Sequence, residues 1–167
     1  LISSNQIQFY DFKTTYLIGN EWWRLITPMF IHFSPTHLIF NSLWIYILGR
    51  EIEQLDGKII FIFLILFTSI SSNYLQYSFS GPSLFGGLSG VVYGLLGYCF
   101  VSETFLRINK FSFPPAIYIF MFVWLLIGFT GFLDLLGFGK IANFAHLGGL
   151  LSGILSGYIF SMYNKKT

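Results

Sequence analysis

A chain of 167 residues is long enough for one domain, but with 54% hydrophobic, 21% aromatic and only 10% charged residues it lacks the polar surface of a water-soluble globule. That composition points to a membrane domain. The net charge of +2 is too small and too dispersed for a nucleic-acid partner, and the single cysteine, Cys99, rules out an internal disulfide framework and reads as packing.

The chain opens on Leu1 with no basic stretch leading into an apolar one, so it carries no visible signal peptide and reads as a fragment. Charged residues are absent between Arg24 and Arg50, from Ile59 through Ser102, from Phe111 through Leu133 and from Ile141 through Asn164. Each gap can hold a span of about 20 residues, and the second can hold two. Ser80-Gly81-Pro82-Ser83 divides that one, because glycine and proline break a helix whose backbone has no other partner in lipid. The sequence therefore predicts an all-α, polytopic membrane helical bundle with spans at about 34–50, 58–78, 87–104, 114–131 and 143–161.

Five helices joined without re-entry alternate in direction, so the loops fall into two sets. Arg50, Lys58, Arg107, Lys110, Lys165 and Lys166 lie on one side; Lys13, Arg24 and Lys140 lie on the other. The richer set is expected on the cytoplasmic side. The first, third and fifth helices then run parallel from the outer face inward, and polar residues early in all three meet at one depth.

Those helix starts carry the unusual residues: His37 and Asn41, then Ser89, then Asn143 and His146. Polar groups inside a membrane are costly and usually act on something, although each alone fits interhelical hydrogen bonding as well. His37 and Asn41, four apart, share one helix face, whereas His32 and His37, five apart, do not. Gly86-Gly87-Leu88-Ser89-Gly90 leads a glycine-rich loop into a helix whose first turn holds the serine, with free N–H groups aimed at any oxyanion formed there. Glycines recur at 90, 94 and 97 and again at 149, 153 and 157, two smooth faces that allow close approach and would bring Ser89 and His146 within hydrogen-bond reach. Zinc chemistry lacks a His-Glu-x-x-His string, and an aspartyl protease would need two carboxylates within spans, where only Asp134 comes near.

Three strings, His32-Phe33-Ser34-Pro35-Thr36-His37-Leu38-Ile39-Phe40-Asn41, Gly87-Leu88-Ser89-Gly90-Val91-Val92-Tyr93 and Ala142-Asn143-Phe144-Ala145-His146-Leu147-Gly148-Gly149, occur in that order. Together they resemble the bacterial rhomboid intramembrane serine proteases of the GlpG type, from about Trp23 to the C-terminus. The resemblance implies five spans present of an expected six, with residues 1–33 forming the end of the first span and an external loop and 34–167 the catalytic core. It implies Ser89 as nucleophile, His146 as general base, and an oxyanion hole made by the Ser89 N–H with the His37 and Asn41 side chains. Tyr93 would pack on the His146 ring, with Gly87 and Gly90 in support. Trp23-Arg24 would be structural, and Pro28 stands where some relatives have a histidine, a change expected to alter loop packing without abolishing chemistry.

The same resemblance implies transmembrane protein substrates cut in or near their spans, with a small side chain before the cut. It places the protein in a bacterial inner membrane with its site toward the periplasm, without cofactor or metal, and makes the helix after Pro114-Pro115 a lateral gate. Two other classes compete. An inactive relative that only binds membrane clients would typically lack the serine or the histidine, and a transporter would continue its polar residues across the membrane, where Ile59 to Phe67 and Phe120 to Ile127 are almost wholly apolar.

Overall fold

The computed structural model describes residues 21–81, 83–106, 110–135 and 141–164. The expected end of a first span and Lys13, within 1–20, lie outside the described residues, as do Pro82, Arg107, Lys140, Lys165 and Lys166. Among the described residues the regular elements are all helical. Two 3-10 turns, Trp22–Leu25 and Thr27–Phe30, precede α1 (Pro35–Asp56), α2 (Lys58–Ser80), α3 (Ser89–Leu106), α4 (Pro115–Phe129), the short α5 (Phe132–Leu135) and α6 (Asn143–Asn164).

The helix limits follow from caps. Ser34, extended at φ −153°, accepts the His37 N–H on its Oγ at 3.1 Å, and Pro35 supplies a preset first residue for α1. α1 outruns the predicted end at 50 because an uncharged run measures apolar length, not helix length. It continues through good helix formers, with Ile52 fully buried, until Gly57 takes φ +89°. α3 begins at Ser89 rather than 87, since Gly87 at φ +116° has no place in a right-handed helix. α4 stops two residues short of the expected 131, where Gly131 takes φ +73° and turns the chain into α5.

The packing is inverted relative to a soluble protein. Thr68, Ser69, Ser72, Asn73, Gln76, Ser152 and Ser156 are buried, while Ile39, Ile59, Phe63, Ile119 and Ile159 are exposed. Small and polar residues inside with bulky apolar ones outside is the arrangement that lipid favours. Lys58–Ser80 and Asn143–Met162 are each long and apolar enough to cross a bilayer. The molecule is an all-helical, polytopic membrane bundle.

α3 is its axis, with Val91, Tyr93, Leu95, Tyr98 and Cys99 buried between α2, α6 and α4. The segment before α1 is docked on α2: Asn73 Nδ2 donates to the Leu25 carbonyl at 2.7 Å and Ser69 Oγ to that of Ile26 at 3.4 Å. Arg24 pairs with Glu21 inside the same segment.

Candidate active site

What brings α3 and α6 together is the absence of side chains. A methyl added at Gly149 would collide with the Gly90 carbonyl oxygen, one at Gly153 with that of Gly94, and one at Gly97 would stand 2.6 Å from the Leu150 carbonyl. The two helices therefore touch backbone to backbone along three turns, a spacing that only glycine permits. The start of α6 is held by α2 as well. Ser72 Oγ donates to the Ala145 carbonyl at 2.9 Å, and Gln76 Oε1 accepts the Ala145 N–H at 2.9 Å.

With both helices fixed, Ser89, the first residue of α3, meets His146 on the first turn of α6. Their Oγ and Nε2 atoms are 2.9 Å apart. His146 is buried, and the Tyr93 ring stacks on it with centroids 4.7 Å apart and planes 28° from parallel. Tyr93 is in turn fixed by its hydroxyl, which donates to the Met121 carbonyl of α4 at 2.9 Å. Among the described residues no carboxylate hydrogen-bonds His146, so packing orients the imidazole.

His37 and Asn41 stand one turn apart on α1 and both face Gly87. A methyl there would come 2.9 Å from His37 Nε2 and 3.5 Å from Asn41 Nδ2, so the glycine keeps this space open as well as permitting the turn. Asn41 is 2% exposed and its Nδ2 donor is buried without a partner. Such an orphan is costly unless something transient uses it. The neighbouring backbone donors are sorted in the same sense. Gly87 N–H is taken by the Pro28 carbonyl at 3.0 Å and Leu88 N–H by His32 Nε2 at 3.4 Å, whereas Ser89 N–H, at the helix start, has no acceptor among the described residues.

Ser89, His146, Tyr93, His37, Asn41, Gly87 and Gly90 thus gather at one end of the bundle. Two expectations need correction. His32 does not stand apart from His37: it lies on the loop, where helical spacing does not apply, and the two rings meet edge to face at 5.0 Å. Asn143 is turned away from the dyad, its Nδ2 donating to the Gly128 carbonyl of α4 at 2.7 Å. Sequence reasoning also missed Ser72 and Gln76, which support His146 through Ala145. Their signal was present as two polar residues four apart within an apolar helix.

Chemically, an imidazole nitrogen in contact with a serine hydroxyl, beside unpartnered N–H donors, can activate the hydroxyl and hold an oxyanion. Comparison with known proteins agrees in kind. The family model described as Rhomboid domain matches residues 19–163. The Rhomboid protease GlpG of Serratia proteamaculans is 39% identical over 136 residues, covering 81% of this chain and 47% of that protein. The Rhomboid protease GlpG of Haemophilus influenzae is 36% identical over 149 residues (89% and 74%), and that of Klebsiella pneumoniae 34% over 146 residues (87% and 51%). The chain spans about half the length of the Serratia and Klebsiella relatives. A family match over most of the sequence, with these identities and this helical bundle, means that the chain belongs to the rhomboid family.

Proposed function

We propose that this chain is the catalytic core of an intramembrane serine endopeptidase that hydrolyses peptide bonds in or near the membrane spans of other proteins. The observation that carries the reading is the 2.9 Å contact between Ser89 Oγ and His146 Nε2 under the stacked Tyr93 ring. Residues 34–167 form the catalytic core on this reading, and residues 1–33 the end of the first span and the external loop. The names of the relatives, each a Rhomboid protease, support the same activity.

In the first half-reaction His146 Nε2 takes the Ser89 proton as Oγ attacks the scissile carbonyl, which requires the imidazole hydrogen on Nδ1. The oxyanion that forms is stabilised by Ser89 N–H, Asn41 Nδ2 and His37. His146 then passes its proton to the departing amine, leaving an ester on Ser89. A water molecule, deprotonated by His146, attacks the ester; the bond to Ser89 Oγ breaks, the carboxylic acid product leaves, and His146 returns its proton to Oγ. His32 and Pro28 contribute by occupying the Leu88 and Gly87 N–H groups, which holds the loop in its oxyanion-binding shape.

The depth of the site suits a membrane substrate. Ser89 lies fourteen residues from Glu103, the first charge on α3, which is about 21 Å of helix in a hydrocarbon layer of about 30 Å. The dyad therefore sits inside the layer near the face opposite Glu103. Basic residues are more numerous at the Glu103 end than on the other side, which supports an orientation with the dyad toward the periplasmic face of a bacterial inner membrane. A client span must unwind there, because a helix hides its carbonyls in its own hydrogen bonds.

The test is cleavage of a single-span protein in liposomes, with fluorophosphonate labelling alongside. Wild type should cut and label, and Ser89→Ala should do neither. A folded wild type that neither cuts several single-span proteins nor labels would make a client-binding relative without activity the better account.

A further inference from the structure

About two and a half turns along α1 from Asn41, α1 and α2 flank an open cleft of about 600 Å³ whose walls include Tyr46, Gly49, Arg50, Glu53, Gln54 and Phe61. Its lining changes character with depth. From Pro35 through Gly49 α1 has no charged residue, and Arg50 and Glu53 are among the first charges beyond that run; α2 carries Lys58 and then none through Ser80. The charges mark the level of lipid headgroups; Gly49, next to Arg50, lies at that boundary, and Ile45 and Phe61 lie on its acyl-chain side. Gly49 is buried against the Phe61 ring, 2.7 Å from where a methyl would stand, so the apolar part of the cleft is closed at its floor.

The polar part holds two opposite charges that do not pair. Arg50 and Glu53 are both exposed and lie one turn apart on α1. The ion pairs among the described residues are Glu21–Arg24 and Asp56–Lys110, and Arg50 instead donates through Nη1 to Tyr46 Oη at 3.4 Å. A guanidinium braced by a tyrosine offers the fork that phosphate oxygens accept, and a free carboxylate one turn on offers an acceptor for ammonium N–H groups. A purely anionic headgroup would be attracted by Arg50 and repelled by Glu53. A quaternary ammonium would bring no N–H donor.

We propose that this cleft is a binding site for a phospholipid bearing both a phosphate and a primary ammonium, as in phosphatidylethanolamine. The phosphate lies on Arg50, with Tyr46 and Gln54 as flanking polar groups, the ammonium lies on Glu53, and an acyl chain runs over Gly49 and Phe61. The site is remote from Ser89 and independent of the protease reading.

The test is native mass spectrometry of the detergent-solubilised full chain with dioleoyl phosphatidylethanolamine, phosphatidylcholine and phosphatidylglycerol added at equal concentrations. One phosphatidylethanolamine should be retained about fivefold better than either of the others, the size expected of one exposed charge contact. Glu53→Gln should erase the preference over phosphatidylcholine, Arg50→Gln should lower retention of all three, and Lys58→Gln, outside the cleft, should change neither. Equal retention by wild type, a preference for phosphatidylglycerol, or an unaltered preference in Glu53→Gln would overturn the proposal. Circular dichroism establishes that each variant is folded, and Arg50→Lys, which keeps the charge but not the fork, should be intermediate. No readout involves proteolysis, so the site and the dyad fail or stand separately.

Discussion

Tyr93 and His146 stack at 4.7 Å, and the same tyrosine carries a hydrogen bond from its hydroxyl to the Met121 carbonyl at 2.9 Å. One side chain therefore ties His146, the proposed base, to α4. The two duties separate by substitution. Tyr93→Phe keeps the ring and removes one hydrogen bond from a carbonyl that α4 still uses in its own ladder, which should lower unfolding stability by about 0.5–1.5 kcal/mol while cleavage falls less than about tenfold. Tyr93→Ala frees the imidazole and should reduce cleavage by about a hundredfold, as expected for misplacing a catalytic group by an ångström. Chemical denaturation and cleavage rates of both variants check this, and equal rates in the two would remove the orienting role.

Asn41 should show stability and activity moving in opposite directions. Its Nδ2 is buried without a partner, which is unfavourable in the resting protein and, on the proposed mechanism, useful when an oxyanion is present. Asn41→Leu, similar in volume but apolar, should melt at the same temperature as wild type or higher. Its kcat should fall by about 10²–10³, the usual effect of deleting one oxyanion donor. A clear loss of stability together with full activity would make Asn41 an interhelical contact and nothing more.

These residues also mark how far the sequence could be read. Spans were legible because charge is excluded from hydrocarbon, and the dyad because Ser89 and His146 are among the few polar groups at helix starts that share a depth. Helix ends were less legible: α1 continues to Asp56 through charged residues that carry no apolar signal. His32 was misplaced because residue spacing predicts direction only within a helix, and it lies in the loop before α1. Ser72 and Gln76 act through the backbone of Ala145, a partner far away in sequence that no local pattern announces.

The glycines divide by what faces them. A methyl at Gly149 meets the Gly90 backbone, which cannot move without separating α3 from α6, whereas one at Gly49 meets the far edge of the Phe61 ring, which can rotate. Gly149→Ala should destabilise by about 1–3 kcal/mol and abolish fluorophosphonate labelling, since the dyad straddles the helix pair that is forced apart. Gly49→Ala should leave labelling intact. Labelling by Gly149→Ala at the wild-type rate would mean that the α3–α6 spacing does not set the dyad.

α4 is tethered at three heights. Near its start Tyr118 Oη donates to Glu103 Oε2 at 2.6 Å, and Phe113 N–H donates to the other carboxylate oxygen at 3.4 Å. Midway the Tyr93 hydroxyl bonds Met121, and at the far end Asn143 bonds the Gly128 carbonyl. The first tether involves a charge and two donors; the last is a single neutral bond, and such bonds differ about twofold in strength. α4 should therefore open from the Gly128 end, beside the dyad, and pivot near Tyr118. In hydrogen exchange, Asn143→Ala should speed the amides of the last turn of α4 by about tenfold, equivalent to about 1.4 kcal/mol, and leave the first turn unchanged. Tyr118→Phe should do the reverse. If Asn143→Ala instead loosens the whole of α4 equally, the helix moves as one body and has no pivot, and lateral entry of a substrate would need all three tethers to break together.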